Sequence, residues 1–468
     1  MNTNWKISML SNLTNQGDSK SIHYPHINCA LSYLHKVKRM VKLKIEIFQT
    51  RLITLMTITL IVTAYMVYAQ LTSTVTIQNT GQISTTTVWA KSGYWRDIQA
   101  AVDAVAAAGG GNVHIPEGTF NFVNVGESWR GERVVVPAGV SIFGAPTEKD
   151  DNGQVVEWKT VLVLPWDMPS NDAIGLCTWF IFGREGASVD KPTRFSDIKL
   201  VGYRYYNNSA ENIYVGLRIQ NILNFRVDHC CFQDLGDKGV HASGSSSPNK
   251  PMTHYYISGV IDHCIFRNTV GRVAPYQTRT VGYGAYVSRG GGYNYEDWET
   301  DIKNIMGHHL NYTVFIEDCY FEKWRHCVVC RQGAHVVLRY STIQHSYGYG
   351  DVDIHGDYSG RAYEIYNVSF LDGVPDGAGT YGEAIWWRAG GGVVFNNTIS
   401  GGVYRLFLGL SNENSDPDYQ SFDIWIWNNT LNGVNYISSS GPVENQDYFR
   451  YAPSWYMPYP YPHPLTSK

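Results

Sequence analysis

A six-residue pattern recurs seven times between Phe225 and Leu431: apolar, any residue, Asp/Asn/His or another bend residue, small, any residue, apolar. The copies are Val227-Asp-His-Cys-Cys-Phe232, Ile261-Asp-His-Cys-Ile-Phe266, Ile316-Glu-Asp-Cys-Tyr-Phe321, Leu338-Arg-Tyr-Ser-Thr-Ile343, Ile365-Tyr-Asn-Val-Ser-Phe370, Val394-Phe-Asn-Asn-Thr-Ile399 and Ile426-Trp-Asn-Asn-Thr-Leu431. Their starts lie between 22 and 55 residues apart. Self-similarity at such a period belongs to solenoids and propellers. Each copy reads as two short strands joined by a one-residue bend, and Asn367, Asn396 and Asn428 suit the left-handed backbone that a tight bend demands. Stacking the copies sets like residues above like. The fold class expected is therefore an all-β solenoid, a right-handed single-stranded parallel β-helix whose inward side chains are buried against the coils above and below.

Composition agrees and narrows function. Charged residues are scarce (17%), aromatics abundant (14%) and the net charge is −4, so no basic surface argues for nucleic acid. Residues 52–68 are uncharged and apolar, follow six Lys or Arg residues between Lys36 and Arg51, and run into Val67-Tyr68-Ala69, a signal-peptidase pattern. This predicts export through a signal peptide at 40–69, with a membrane anchor through 52–68 as the alternative. The protein is then extracellular or held at the cell surface. Residues 1–39 show no periodicity. We expect the native start at Met40, with the preceding residues a gene-start error; peptide mapping of the native precursor checks this. Residues 70–93 read as a linker or a first exposed strand.

In an exported chain, cysteines invite disulfides. Here Cys230, Cys264 and Cys319 fill one slot in successive copies, which predicts buried, free, stacked thiols. Cys327-Val-Val-Cys330 lacks the helix or the second Cys pair that redox or zinc chemistry needs. Of the Asn-x-Ser/Thr triplets, those at Asn367, Asn396 and Asn428 fill bend positions, leaving Asn207 and Asn311 as the better glycan acceptors.

Near the start of the solenoid, Ile98, Ala101, Val102 and Val105 share one helical face, and Gly109-Gly-Gly111 ends the helix. A strand through Val113 and Ile115 follows, closed by Pro116 and Gly118. The stretch Tyr94–Phe120 resembles the amino-terminal cap of the pectate-lyase superfamily of β-helix proteins. That resemblance implies a helix covering the open end of a solenoid, in a fold that hosts lyases, hydrolases, epimerases and tailspikes. Residues 325–399 also resemble a block of secreted β-helix proteins, through Arg325-His326-Cys-Val, Gly333-Ala-His-Val-Val-Leu-Arg339, Asp353-Ile-His-Gly356, Gly360-Arg-Ala-Tyr-Glu-Ile-Tyr-Asn367 and Arg388-Ala-Gly-Gly-Gly-Val-Val-Phe-Asn396. This block implies a shared fold and brings no activity. Val260-Ile-Asp-His263 is similar to the Ile-Asp-His of plant-type pectate lyases. No Arg-x-Pro-x-x-Arg follows, and Val227-Asp-His229 repeats the tripeptide one coil earlier, so it reads as part of the repeat. The polygalacturonase motif set is absent, and Gly307-His-His does not replace it.

The β-helix domain is expected over 94–441, with early coils carrying insertions between Val134 and Val201. The Gly/Tyr/Arg-rich stretch 271–312 reads as a groove wall or an interface. A Pro/Tyr-rich tail, 442–468, reads as unable to continue a sheet, and as either a wrap over the last coil or disorder.

The sharpest polar cluster is Asp351-Val-Asp-Ile-His355-Gly-Asp357. Strand alternation buries Val352 and Ile354 and turns Asp351, Asp353 and His355 outward together. His345, Arg361, Glu364, Glu383 and Arg388 lie in flanking segments, and Trp386 and Trp387 offer platforms for a sugar ring. The expected catalytic group is Asp351, Asp353, His355, Arg361 and Glu364, with His345, Arg388, Trp386 and Trp387 binding substrate. Two carboxylates serve acid/base hydrolysis. Alternatively Asp351 and Asp353 hold Ca²⁺ against a uronate while His355 or Arg361 takes a proton. The partner expected is a polysaccharide or cell-surface glycan. Two functions stay open: a polysaccharide lyase or glycoside hydrolase, and a non-catalytic adhesin, sheath component or glycan-binding solenoid.

Overall fold

The computed structural model describes Lys42 and residues 86–467, except 125–126, 128–131, 152, 165–176, 184–188, 203–213, 245–255, 270–281, 289–300, 346–349, 356–361, 374–381, 403, 405, 414–419 and 434. The extension 1–39, the stretch 40–69 expected to direct export, apart from Lys42, and residues 70–85 lie outside the described residues. Among those described, no helix is long and apolar enough to cross a membrane. Every described strand belongs to the unit Thr85–Lys468.

Three parallel sheets, of twelve, ten and ten strands, run along the molecule. We call them A, B and C. The chain visits them in that order, coil after coil, for ten complete turns from Gly111–His114 (A), Gly118–Asn121 (B) and Glu132–Val136 (C) to Ser421–Trp427 (A), Thr430–Leu431 (B) and Asn435–Ser440 (C). This is the right-handed, single-stranded parallel β-helix expected from the repeat, in keeping with the right-handed crossover between parallel strands. Thr86–Trp89 adds an extra rung of sheet A before the first coil, so that part of 70–93 is strand.

The predicted ladder is present in register: Val227, Ile261, Ile316, Leu338, Ile365, Val394 and Ile426 pair in succession. It extends backward through Phe195, Ile142, Val113 and Val88. Burying each such side chain contributes about 1.5–3 kcal/mol, and here each coil also supplies the wall its neighbour needs. The bend between sheets A and B has positive φ in every copy: His229 (52°), His263 (52°), Asp318 (54°), Tyr340 (50°), Asn367 (54°), Asn396 (55°) and Asn428 (52°). Asn tolerates this backbone best; at Tyr340 the left-handed conformation costs about 1–2 kcal/mol and is held by the coils on either side.

The slot after the bend carries the buried thiols of Cys230, Cys264 and Cys319, all free. Each thiol donates to a carbonyl one coil earlier, at 3.5–3.6 Å: Phe195, Val227 and Ile261 respectively. Burial pushes the Cys230 and Cys319 thiols up, away from reactivity. Later coils fill the same slot with Ser341, Val368, Asn397 and Asn429. Asn397 and Asn429 bond to each other and to the carbonyls of Ile365 and Val394. Cys327 and Cys330 are also buried and free, which suits packing rather than redox or metal chemistry.

The cap helix spans Trp95–Ala107 and buries Ile98, Ala101, Val102 and Val105. Its Gln99 side chain does what a next strand would do. The amide oxygen accepts from Val135 N at 2.7 Å and the amide nitrogen donates to Val135 O at 3.1 Å, satisfying the edge strand of sheet C.

The tail departs from expectation. Tyr448–Phe449 continues sheet A by one short rung, pairing with Ile424–Trp425. The chain then doubles back along the outer face of sheet A as a strap. Trp455 packs on Trp425, Tyr456 on Phe395 and Trp427, Tyr459 on Phe315, and Tyr461 on Tyr340. Ile302, Ile305 and Met306 join the same cluster, so the end of the 271–312 insertion packs on sheet A. The prolines do not prevent pairing here because the strap, past Phe449, uses side chains and carbonyls instead of a ladder.

Candidate functional site

Strands of sheet C share a second, less obvious repeat. Outward positions are spaced three and then two apart: Lys238, His241, Ser243; Tyr283, Tyr286, Ser288; His326, Val329, Arg331; Gly350, Asp353, His355; Glu383, Trp386, Arg388. The residue after the first position is passed over by the pairing register at Gly239, Gly284, Cys327 and Ala384, and Asp351 holds the same place just before its strand. At this corner the side chain points into the solenoid. A Cβ on Gly239 or Gly284 would lie within 2.8 Å of Phe266 or Phe321, inside sheet B.

This corner separates the predicted triad. Asp353 and His355 sit on the outer face of sheet C, while Asp351 takes the inward corner slot, where simple alternation fails. Its carboxylate accepts from the Tyr404 hydroxyl at 2.5 Å, and its carbonyl accepts from Cys327 N and Val328 N. Burial, with Asp351 beside it, pushes the Tyr404 hydroxyl well up, so it remains a donor. Asp351 is thus a core residue.

Around Asp353 the face converges. Both carboxylate oxygens accept from Arg388 Nη2, at 2.7 and 2.8 Å. The guanidinium lies over the Trp386 ring, 4.2 Å from its centre. Its other end is 3.1 Å from Glu413. His326 lies behind, donating from Nδ1 to Gly350 O at 2.6 Å with Nε2 3.7 Å from Asp353. Burial lowers both His326 and His355, the latter to about 3, and Arg388 and Arg331 add to that shift. Both imidazoles are therefore neutral at neutral pH. One coil toward the amino terminus, Arg331 donates to the hydroxyl of Tyr286 on the coil before it, at 3.2 Å, and one coil farther the Lys238 ammonium lies 5.4 and 5.1 Å from the ring centres of Tyr283 and Tyr286. Asp237 pairs with Lys238.

Of the other predicted residues, Glu364 belongs to sheet A. It is fully buried and accepts from Gly307 N (2.7 Å) and the Tyr456 hydroxyl (2.6 Å), with His335 Nε2 at 2.9 Å. It anchors the strap and faces away from Asp353, because its strand follows the turn out of sheet C. Trp387 points inward, donates to Gly390 O and packs on Tyr363, leaving Trp386 alone as an outward platform. His345 occupies the positive-φ turn after sheet B, 3.9 Å from Glu322. Arg361 and Asp357 lie outside the described residues. A Ca²⁺ pair of Asp351 and Asp353 does not fit: their carboxylates go to Tyr404 and Arg388, and a guanidinium stands where a cation would bind Asp353. Among the described residues no group of three or more His, Cys, Asp or Glu is arranged to hold a metal.

His326, Tyr286, Arg331 and Glu413 were not anticipated. The three-then-two spacing of the sheet C strands is the signal that marks the first three. Glu413 comes from the turn after sheet C and left no pattern.

Asp228 and Asp262, the carboxylates of the Asp-His repeats, are structural as expected. Arg194 holds Asp228 through two bonds of 2.6 Å, and Arg226 holds Asp262 through two of 3.0 Å. His229 and His263 approach the same carboxylates at 2.6 and 3.0 Å.

No protein-family model matches the chain, and no curated protein matches it. Solved structures similar to it include the A-module of a mannuronan C-5 epimerase of Azotobacter vinelandii, at 15% identity over 78% of this chain and 100% of that one, TM-score 0.35. A second is the tailspike protein of E. coli bacteriophage HK620 in complex with a pentasaccharide, at 14% identity over 75% and 56%, TM-score 0.47. A third is an alginate lyase from Paenibacillus sp., at 12% identity over 78% and 99%, TM-score 0.42. At these identities and scores no residue role passes from them to this chain.

Proposed function

We propose that the protein binds a polysaccharide chain along the outer face of sheet C, outside the cell or at its surface. The observation that carries this reading is the anchor formed by Trp386, Arg388, Asp353 and Glu413. An aromatic face supports a guanidinium that two carboxylates hold rigid, so a planar donor is presented at little entropic cost. Tyr283, Tyr286, Lys238 and Arg331 continue the polar and aromatic surface over neighbouring coils, each about 4.8 Å from the next. Such a strip suits an extended polymer better than a small molecule. The test is direct binding of the full chain to a panel of uronic-acid and neutral polysaccharides. Trp386→Ala should weaken the best binder by about tenfold or more with the fold intact; equal affinity in the variant rejects the anchor.

Cleavage is favoured by a single observation. His355 is neutral and stands beside Arg388 and Arg331, so with a uronate it would take the proton next to the carboxylate while the arginines hold the developing charge. The C–H electron pair would form the double bond as the glycosidic C–O bond breaks, and the departing oxygen would take a proton from solvent. An imidazole of so low a basicity is a poor base, which places binding first. Chain cleavage with unsaturated products, lost in His355→Ala while binding persists, would reverse that order.

A further inference from the structure

The strap covers sheet A only in part. Its track runs over Trp425, Phe395, Tyr366, Arg339 and Phe315, and closes with His463–Leu465 beside Arg226. Toward the amino terminus the same outer face continues uncovered by the strap. One row there reads Asn112, Ser141, Arg194, Arg226, and the next reads Trp89, His114, Phe143, Ser196. The three rings of the second row are stacked: Trp89 on His114 at 5.0 Å and 30°, His114 on Phe143 at 5.3 Å and 20°. The Arg194 guanidinium then lies 5.5 Å from the Phe143 ring centre. Trp89 is 62% exposed. Where this strip meets the strap there is a cleft of ≈ 540 Å³, lined among others by Asn112, Phe143, Thr193, Asn224, His309 and Tyr459.

We propose that this strip and cleft form a second glycan site, for an uncharged oligosaccharide, on a different sheet from the Asp353 groove. Three features point to that ligand class. An exposed indole in a stacked aromatic row gives sugar rings a flat apolar face. Hydroxyl, amide and imidazole groups stand beside it as hydrogen-bonding partners. The positive charges of the wall are cancelled internally: Arg194 is held by Asp228 and Arg226 by Asp262, while Asp190, which accepts from Asn224 at 3.0 Å, adds a negative charge. Burial lowers His114, and lowers His309 to about 4, so neither adds charge at neutral pH. A polyanion would find no net positive field here, whereas a neutral polyol loses nothing by its absence.

A glycan on sheet A and a glycan on sheet C would bind independently of each other. The test titrates the full chain with gluco-, manno-, xylo- and galacto-oligosaccharides and follows binding by calorimetry, with melting curves as the control for folding. Saturable binding of a neutral oligosaccharide is expected in the wild type. Trp89→Ala should weaken it about tenfold or more, and Asn112→Ala by a smaller factor. Should Trp89→Ala fail to fold, Asn112→Ala decides. The proposal is overturned if no neutral oligosaccharide binds the wild type, if the folded strip variants bind as well as wild type, or if only Trp386→Ala loses binding.

Discussion

The outer faces of sheets A and C are made from the same materials and put to different uses. Both carry arginine against carboxylate along the coils, and both add aromatic rings. On sheet A between the fifth and last coils, the strap and residues 302–306 close over the face. Arg339 is wholly buried there and its bonds are completed from every side: Glu317 accepts at 2.8 Å, the Tyr366 hydroxyl at 2.9 Å, and the strap carbonyls of Tyr459 and Pro460 at 2.7 and 2.9 Å. The other Glu317 oxygen accepts from His463 N at 2.8 Å. On sheet C the equivalent pair, Asp353 and Arg388, keeps its guanidinium over a partly exposed tryptophan. The sealed Arg339–Glu317 pair specifies an internal interface, whereas the Asp353–Arg388 pair, with Asp353 buried and 11% of the Arg388 side chain exposed, keeps one edge beside the Trp386 ring open to a ligand.

This contrast is broken most directly at Arg339. Arg339→Ala leaves Glu317 buried without its charge partner and two strap carbonyls without their donor. It should cost about 3–5 kcal/mol in denaturant unfolding and expose the strap to proteolysis. A loss below about 1 kcal/mol would place Arg339 in the class of weak surface pairs. Tyr456→Phe removes one hydroxyl from the Glu364 carboxylate and keeps the ring on Phe395. The expected cost is about 1.5–3 kcal/mol, the range for a hydrogen bond to a charged group, measured by the same unfolding curves. Trp386→Ala, on the other face, should cost less than either, about 1 kcal/mol or below, while reducing glycan affinity. A stability loss matching that of Arg339→Ala would show that sheet C is as closed as sheet A.

Acid sharpens the comparison because both faces hold histidines whose pKa falls on folding. His309, on the strap side, is lowered to about 4, and His355, on the groove side, to about 3, burial being the main cause in each. In the unfolded chain both titrate near 6.5. Between those values the unfolded state binds more protons, so stability rises with pH. Their contribution is fully present above about pH 6.5 and is lost as pH falls toward 4 and then 3. Melting temperature should therefore fall on acidification through this window. His309→Gln and His355→Gln should each flatten that slope, and a slope unchanged in both would remove the histidines as its cause.

Much of the fold was legible because a β-helix repeats its instructions. Each A–B corner carries its own bend residue and small slot, so seven imperfect copies sufficed to give the ladder and the thiol stack. The cap helix was legible for a similar reason, since one apolar face and a run of glycines are local signals. The site was legible only in part. Asp353 and His355 follow from alternation, Arg388 and Trp386 from their place in a flanking segment, and the structure brings these four to one face. Alternation misplaced Asp351, because the corner before each sheet C strand turns one side chain inward. It also gave no means of telling that Glu364, a few residues farther along the chain, belongs to another face.

The amino-acid sequence by itself thus determined the coil, its register and the identity of its buried ladder, since these depend on residues a few positions apart and on identical neighbours above and below. Tertiary structure alone decided where the tail lies and which charges are sealed. The strap meets Glu317 and Arg339 across more than a hundred residues of chain. No periodicity records such a contact, because it is made once, by a segment that shares no repeat with the sheet it covers.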